Sequence, residues 1–230
     1  MRVFAIGDLH LSRSKPKPMD VFGEHWRDHD QKIMANWNAV GGDDDLLLLV
    51  GDHSWALKLE EFLPDLDYIA ALKGRKILTK GNHDLWWSSA SKVRKLLPPG
   101  VEILQHESVV VNGVAVAGTR GWTVPERESF DEAEDRKIYE REVGRLKLAF
   151  DSLRGKTYER LVVAVHYPPT NQTGANTAFT QLIEDHGSDF CVYGHLHAEA
   201  IATAFTGRRG PTKYQLVSAD AVNFCPYQVL

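Results

Sequence analysis

Leu46-Leu47-Leu48-Leu49-Val50-Gly51-Asp52 is a run of apolar residues that stops at a glycine and a carboxylate. A run this short, without polar alternation, reads as a strand buried on both faces, with the chain leaving the sheet at Gly-Asp. The same pattern recurs along the chain. Val3-Phe4-Ala5-Ile6-Gly7 leads into Asp8-Leu9-His10, and Lys76-Ile77-Leu78-Thr79-Lys80 into Gly81-Asn82-His83-Asp84. Leu161-Val162-Val163-Ala164-Val165 leads into His166, and Phe190-Cys191-Val192-Tyr193 into Gly194-His195-Leu196-His197. In open α/β sheets, ligands bind in the crevice beyond the carboxyl ends of the strands. Strand ends that each supply Asp, Asn or His therefore predict one site built for a pair of metal ions.

Between these runs the apolar spacing predicts helices over about 26–40 (Ile33, Trp37, Val40), 56–72 (Leu59, Phe62, Leu66, Ile69), 88–96, 135–153 and 176–186. Pro64 either kinks the second of these or starts a new one. The middle reads as strands over about 101–105, 107–112 and 114–117, with Asn112-Gly113 as a hairpin turn. The tail reads as three more strands, about 199–206, 213–218 and 225–229. Strand–helix alternation succeeded by hairpins implies two mixed sheets packed face to face with helices outside. That is an α/β fold, a four-layer α/β/β/α sandwich, in a single domain over 1–230.

Composition constrains function. Hydrophobic content of 43% and charged content of 25% suit a globular chain with a sizeable core. A net charge of −4 provides no global basic field for nucleic acid; Arg13, Lys15 and Lys17, and Arg208, Arg209 and Lys213, form only local clusters. Cys191 and Cys225 are too few for a disulfide framework and read as reduced, buried thiols. With the first strand starting at Arg2-Val3 and no apolar run near the length of a membrane span, the expectation is a cytoplasmic protein.

On extended chain, Asp8 and His10, and His195 and His197, would each point to one side as i and i+2 neighbours. Asp52 has two oxygens with which to bridge two cations, Asn82 offers a neutral amide oxygen, and His166 adds nitrogen. This mixed set suits Mn, Fe, Zn or Ni. The five blocks, in this order, resemble the calcineurin-like metallophosphoesterase superfamily across residues 8–197. The resemblance implies the same four-layer sandwich and two divalent ions. It implies Asp8, His10, Asp52 and His197 on one ion and Asp52, Asn82, His166 and His195 on the other. It further implies hydrolysis of a phosphate ester by a metal-bridging hydroxide, with His83 contacting the phosphate and protonating the leaving oxygen, and Asp84 orienting His83. A small phosphodiester or nucleotide-type substrate is the leading expectation. A phosphomonoesterase, a nuclease and a non-catalytic protein-binding scaffold of the same fold are the alternatives.

Other residues admit more than one reading. His53, after the bridging aspartate, departs from the family pattern; it is a further ligand, a support for the ligands, or a filler beneath the site. His166 lacks the usual preceding glycine. Arg120, in Gly118-Thr119-Arg120-Gly121-Trp122, is a candidate for binding a phosphate oxygen. Trp55, Trp86 and Trp87 come directly after metal-binding segments and either wall a pocket or, the stronger expectation, pack in the core. His25, His29, His106 and His186 fall outside the pattern and read as surface residues, His25 and His29 being near enough to the first ligands in the chain to reach the cleft. Gly155-Lys156-Thr157 is no phosphate loop, because Phe150 stands where the earlier glycine is required.

Overall fold

In the computed structural model, which describes residues 1–230, Leu46–Val50 is strand β2 with every side chain buried. It pairs in parallel with β1 (Val3–Ile6) and β3 (Arg75–Thr79), and β3 pairs with β4 (Val101–Leu104). The near-terminal β11 (Tyr227–Gln228) runs antiparallel on the far edge of β1, giving the order β11-β1-β2-β3-β4. The second sheet comprises β5 (Ser108–Val111), β6 (Val114–Thr119), β7 (Arg160–Val165), β8 (Phe190–Tyr193), β9 (Gly207–Arg209) and β10 (Thr212–Leu216). Its order is β5-β6-β7-β8-β10-β9, parallel inside and antiparallel at both edges.

Strand alternation explains why these runs are apolar throughout. Leu46, Leu48 and Val50, with Val3 and Ala5, face Val116, Val162, Ala164 and Val192 across the space between the sheets. The alternate residues Leu47, Leu49, Phe4 and Ile6 turn the other way. They pack against Ile33 and Trp37 of α1 (His29–Val40) and Phe62, Leu66 and Ile69 of α2 (Leu59–Ala71). On the opposite surface Val163, Val165 and Tyr193 meet Leu146 and Phe150 of α4 (Glu132–Asp151) and Phe179 and Ile183 of α5 (Ala178–Asp185). Three apolar layers between four structural layers make the sandwich that the sequence predicts. The short α3 (Ala90–Arg94) leads into β4.

Asn112 and Gly113 both have positive φ, 46° and 79°, as a tight I′ hairpin turn requires. Pro64 lies in the middle of one uninterrupted helix α2, where its missing N–H removes a single backbone bond. The expected strand at 199–206 is not formed. Ala198 sits at φ 49° with its N–H held by Asp220 (3.0 Å), which turns the chain away from the sheet into a 3-10 helix over Ala198–Thr203. The edge strand β9 forms instead just beyond it, over Gly207–Arg209, a stretch with no apolar alternation to mark it. Both cysteines are free; Cys191 is buried in β8, while Cys225 lies outside β11 and is partly exposed. No helix is long and apolar enough to cross a membrane.

Candidate metal centre

The loops leaving β1, β2, β3, β7 and β8 meet at one rim of the sandwich. They bring their side chains together by a different local geometry from strand alternation. Asp8 (φ 59°), His10 (φ 44°), Asp52 (φ 51°) and His195 (φ 74°) all adopt left-handed backbone conformations. Non-glycine residues persist there only where their surroundings over-determine them. Here the loops bind each other: Asp8 N–H donates to Gly51 O (2.9 Å), His10 N–H to Asp52 O (3.0 Å) and Gly194 N–H to His166 O (3.0 Å). Two glycines make room for the carboxylates. A Cβ on Gly81 would lie 2.0 Å from Asp52 Oδ1, and one on Gly194 would lie 2.4 Å from Asp8 Oδ2.

The structure brings all seven ligand-type side chains together. Donor atoms of Asp8, His10 and His197 lie within 4.8 Å of one another, as do those of Asp8, Asp52 and His166. Asn82 Oδ1 is 2.8 Å from His166 Nε2 and 2.9 Å from His195 Nδ1. One detail differs from expectation. Asp52 Oδ1 accepts the His83 backbone N–H (2.7 Å), so Oδ2 alone faces both halves of the centre, 3.4 Å from His166 Nε2 and 4.0 Å from His10 Nε2. Asp8 Oδ1 likewise lies between His197 Nε2 (3.1 Å) and His166 Nδ1 (3.9 Å).

These residues fit divalent cations. The donors are mixed imidazole, carboxylate and amide. His197 Nε2 is buried and makes no well-formed hydrogen bond, although Asp8 Oδ1 stands 3.1 Å away, an arrangement that a cation shared by the two would resolve. His166 Nδ1 bonds Val50 O (3.1 Å) and His197 Nδ1 bonds Asp220 Oδ1 (2.9 Å). Such contacts on one ring nitrogen orient the other for a metal. Asp220 was missed in the sequence, although it stands beyond β10 much as the other acidic residues stand beyond their strands.

The charges are organised in advance. Burial alone would suppress charge on His166, but Asp52 and Asp8 raise it to about 9. Against the same burial penalty, Asp8 and Asp220 raise His197 to about 10. Burial pushes His10 down to about 4 and His195 to about 3. Burial also opposes ionisation of Asp8 and Asp52, yet His197 and His166 hold Asp8, and His166 and His10 hold Asp52, below the usual carboxylate range. Without metal, the centre thus holds two imidazolium groups beside two carboxylates. Loading with a divalent ion at neutral pH is expected to expel those protons, so metal affinity should climb between about pH 7 and 9. Calorimetry in buffers of differing ionisation enthalpy counts them; a pH-independent affinity over that range would contradict the assignment. The sign for stability is opposite. These raised pKa values stabilise the metal-free fold fully below the ordinary histidine value of 6.5, and that contribution disappears as pH rises through about 9 and 10.

Asp84 departs from its expected part. Fully buried, it accepts from the N–H groups of Gly81 (2.7 Å), Asp52 (2.9 Å) and His53 (2.8 Å), and from Trp86 Nε1 (2.9 Å). Its ring partner is His53 Nδ1 at 2.9 Å, not His83. Three backbone N–H groups, the Trp86 indole and the His53 ring on one carboxylate tie the loops after β2 and β3 together, so Asp84 positions the loops rather than the acid. His53 is therefore a support beneath the ligands; its second nitrogen faces Leu49 O at 3.3 Å.

His83 is exposed at the mouth of a cavity of about 180 Å³ lined also by Met19, Phe22, Trp26, Trp55, His10 and His197. Trp55 stacks on His10 (centroids 4.7 Å, 19°) and walls this cavity, whereas Trp86 and Trp87 are core residues, Trp86 stacked on Phe62. Neither His25 nor His29 joins the gathered side chains. His25 is exposed, and His29 Nε2 pins Leu9 O (2.9 Å) between Asp8 and His10. His186 stacks on Phe150 (4.0 Å). Arg120, expected to hold a phosphate oxygen, has one guanidinium nitrogen 3.4 Å from the fully buried carboxylate of Glu142 and its guanidinium carbon 4.6 Å from the Trp122 ring, while Arg145 is the closer partner of Glu142 at 2.6 Å.

Carboxylates, imidazoles and an amide gathered at the carboxyl ends of parallel strands make this rim a candidate centre for divalent ions. The model of the calcineurin-like phosphoesterase family matches residues 1–199, and the chain belongs to that family. It is a metal-dependent phosphoesterase, a hydrolase of phosphoric esters. The solved phosphopantetheinyl hydrolase of Mycobacterium tuberculosis is similar at 16% identity over 100% of this chain and 95% of that one, with a TM-score of 0.60. A protein of unknown function from Aquifex aeolicus is 15% identical over 99% and 95%, with a TM-score of 0.49. At 16% identity the likeness to the hydrolase is one of fold. No curated protein matches the chain in sequence.

Proposed function

We propose that the chain hydrolyses a small phosphodiester at this rim, with His83 protonating the leaving oxygen. Asp8, His10, Asp52 and His197 would hold one divalent ion and Asp52, Asn82, His166 and His195 a second, with Mn the leading candidate for an N/O set of this kind. Ions bound there would acidify water and neutralise charge on the phosphoryl oxygens. The observation that carries the reading is the union of this ligand set with an acid at its edge. His83 N–H is tied to Asp52 Oδ1 at 2.7 Å, so the acid and the shared carboxylate keep a constant relation. The ring stands 4.7 Å from Trp55 and 5.8 Å from His10, at the wall of the cavity.

The cavity supports a diester. Apart from its histidines the lining is Met19, Phe22, Trp26, Trp55 and Ala198, apolar or aromatic, suited to the organic part of an ester. An apolar wall desolvates what it covers, and a monoanionic diester loses less hydration there than a dianionic monoester. The Mn-loaded enzyme is therefore expected to turn over bis(p-nitrophenyl) phosphate faster than p-nitrophenyl phosphate. A large monoester preference in kcat/KM would reverse the choice.

A further inference from the structure

A second cavity, of about 250 Å³, opens where the ends of β3, β4 and β6 meet α4. Lys80, Arg120, Arg141, Arg145 and His106 line it around the carboxylate of Glu142. Leu104 is its one hydrophobic lining residue. Glu142 is fully buried and takes Thr119 Oγ1 at 2.8 Å, Arg145 Nη1 at 2.6 Å, Arg120 Nη2 at 3.4 Å and Arg141 Nε at 3.8 Å. One well-placed cation would serve a buried carboxylate. Four side-chain cations converge here instead, and Arg120 Nε is buried with no hydrogen-bond partner. Cations gathered beyond what the fold needs repel one another unless an anion fills the space between them.

Strand order places this cavity beside the metal centre. Lys80 directly precedes Gly81-Asn82 at the end of β3. The Arg120 carbonyl accepts the N–H groups of His166 and Tyr167, both at 3.0 Å. The apolar cavity next to His83 instead shares His10 and His197 with the centre. The rim therefore carries an apolar chamber lined by one set of ligands and a cationic chamber joined to the other.

We infer that the cationic chamber is a subsite for a second phosphate group of the substrate, held by the guanidinium groups of Arg120, Arg141 and Arg145 and the ammonium of Lys80. The inference rests on the phosphoesterase reading and deepens it: the substrate carries an organic group on one flank of the scissile phosphate and a further phosphate on the other. Guanidinium forks and an ammonium together match phosphate oxygens.

Two measurements on the full chain in Mn test this. Calorimetric titration with inorganic phosphate is expected to show one fewer binding equivalent in the Arg141→Ala/Arg145→Ala variant than in the wild type. Arg141→Glu is the second variant, because Arg141 is half-exposed (51%) and leaves Arg145 on Glu142; it should weaken that equivalent by about tenfold or more. Equal stoichiometry and affinity in all three proteins would overturn the subsite. The second measurement compares kcat/KM for the p-nitrophenyl ester of thymidine 5′-phosphate with that of its 3′-phosphorylated counterpart. A preference of about tenfold for the phosphorylated diester, lost in the variants, is expected. Bound phosphate without that preference would show a site for free phosphate and overturn the substrate assignment. Hydrolysis of neither diester would overturn the diesterase reading, while the titration, which needs no turnover, would still decide the anion site.

Discussion

Asp52→Asn is expected to lower kcat for phosphodiester hydrolysis by about a thousandfold, equivalent to about 4 kcal/mol of transition-state stabilisation. The substitution keeps the shape and the Oδ1 contact to His83, but it removes the negative charge from the one atom that faces His166 at 3.4 Å and His10 at 4.0 Å. Both halves of the centre would lose affinity together. Asn82→Ala should cost less metal, because Asn82 is neutral and its Oδ1 faces only His166 and His195. Metal analysis after dialysis distinguishes them. Comparable metal content in the two variants would remove Asp52 from its bridging position. The charge of Asp52 also sustains the raised His166, so in Asp52→Asn that ring should titrate closer to the ordinary range, a shift that NMR of the imidazole protons would track without any turnover.

His83→Ala should lower kcat by roughly 10²- to 10⁴-fold while leaving metal content intact, because its side chain belongs to neither cluster of ligand atoms. The leaving group provides the diagnostic. An alkoxide is strongly basic and needs its proton as the P–O bond breaks, whereas p-nitrophenolate leaves without one. The loss should therefore be larger for an alkyl diester than for bis(p-nitrophenyl) phosphate. Equal losses for the two would make His83 a phosphate contact rather than a proton donor. Because the fall concerns a group exposed at the cavity mouth, the fold itself should tolerate the change.

Much of this site is readable one residue at a time. Leu46–Val50 is apolar at every position because its strand is covered on both faces, and a strand so covered belongs inside a sandwich. The residues just past such a strand lie at its carboxyl end, so Asp8, Asp52, Asn82, His166, His195 and His197 are assignable to one rim from their order in the chain. The orientation of those side chains is not assignable in this way. Asp8, His10 and His195 point inward through left-handed turns that neighbouring loops enforce by hydrogen bonds, not through strand alternation. Asp84 stands next to His83 in the chain, which suggests a pair, but tertiary packing gives its oxygens to His53, Trp86 and three backbone N–H groups from two loops.

The amino-acid order by itself determined the layers, the family and which side chains gather at the candidate metal centre, because each rests on a local pattern: apolar runs, the residues that end them and their succession. Only the folded chain decided which oxygen of Asp52 faces both clusters, that Trp26 and Trp55 rather than Trp86 and Trp87 wall the apolar chamber, and that Asp220 steadies His197. It alone also brought Lys80 and Arg120 to Glu142 and Arg145, which share one turn of α4. Lys80 and Arg120 are distant in sequence from that turn and from each other. They become neighbours because β3 and β6 fall on facing sheets and α4 packs across β6, a long-range choice made by the burial of the whole core rather than by any segment of it.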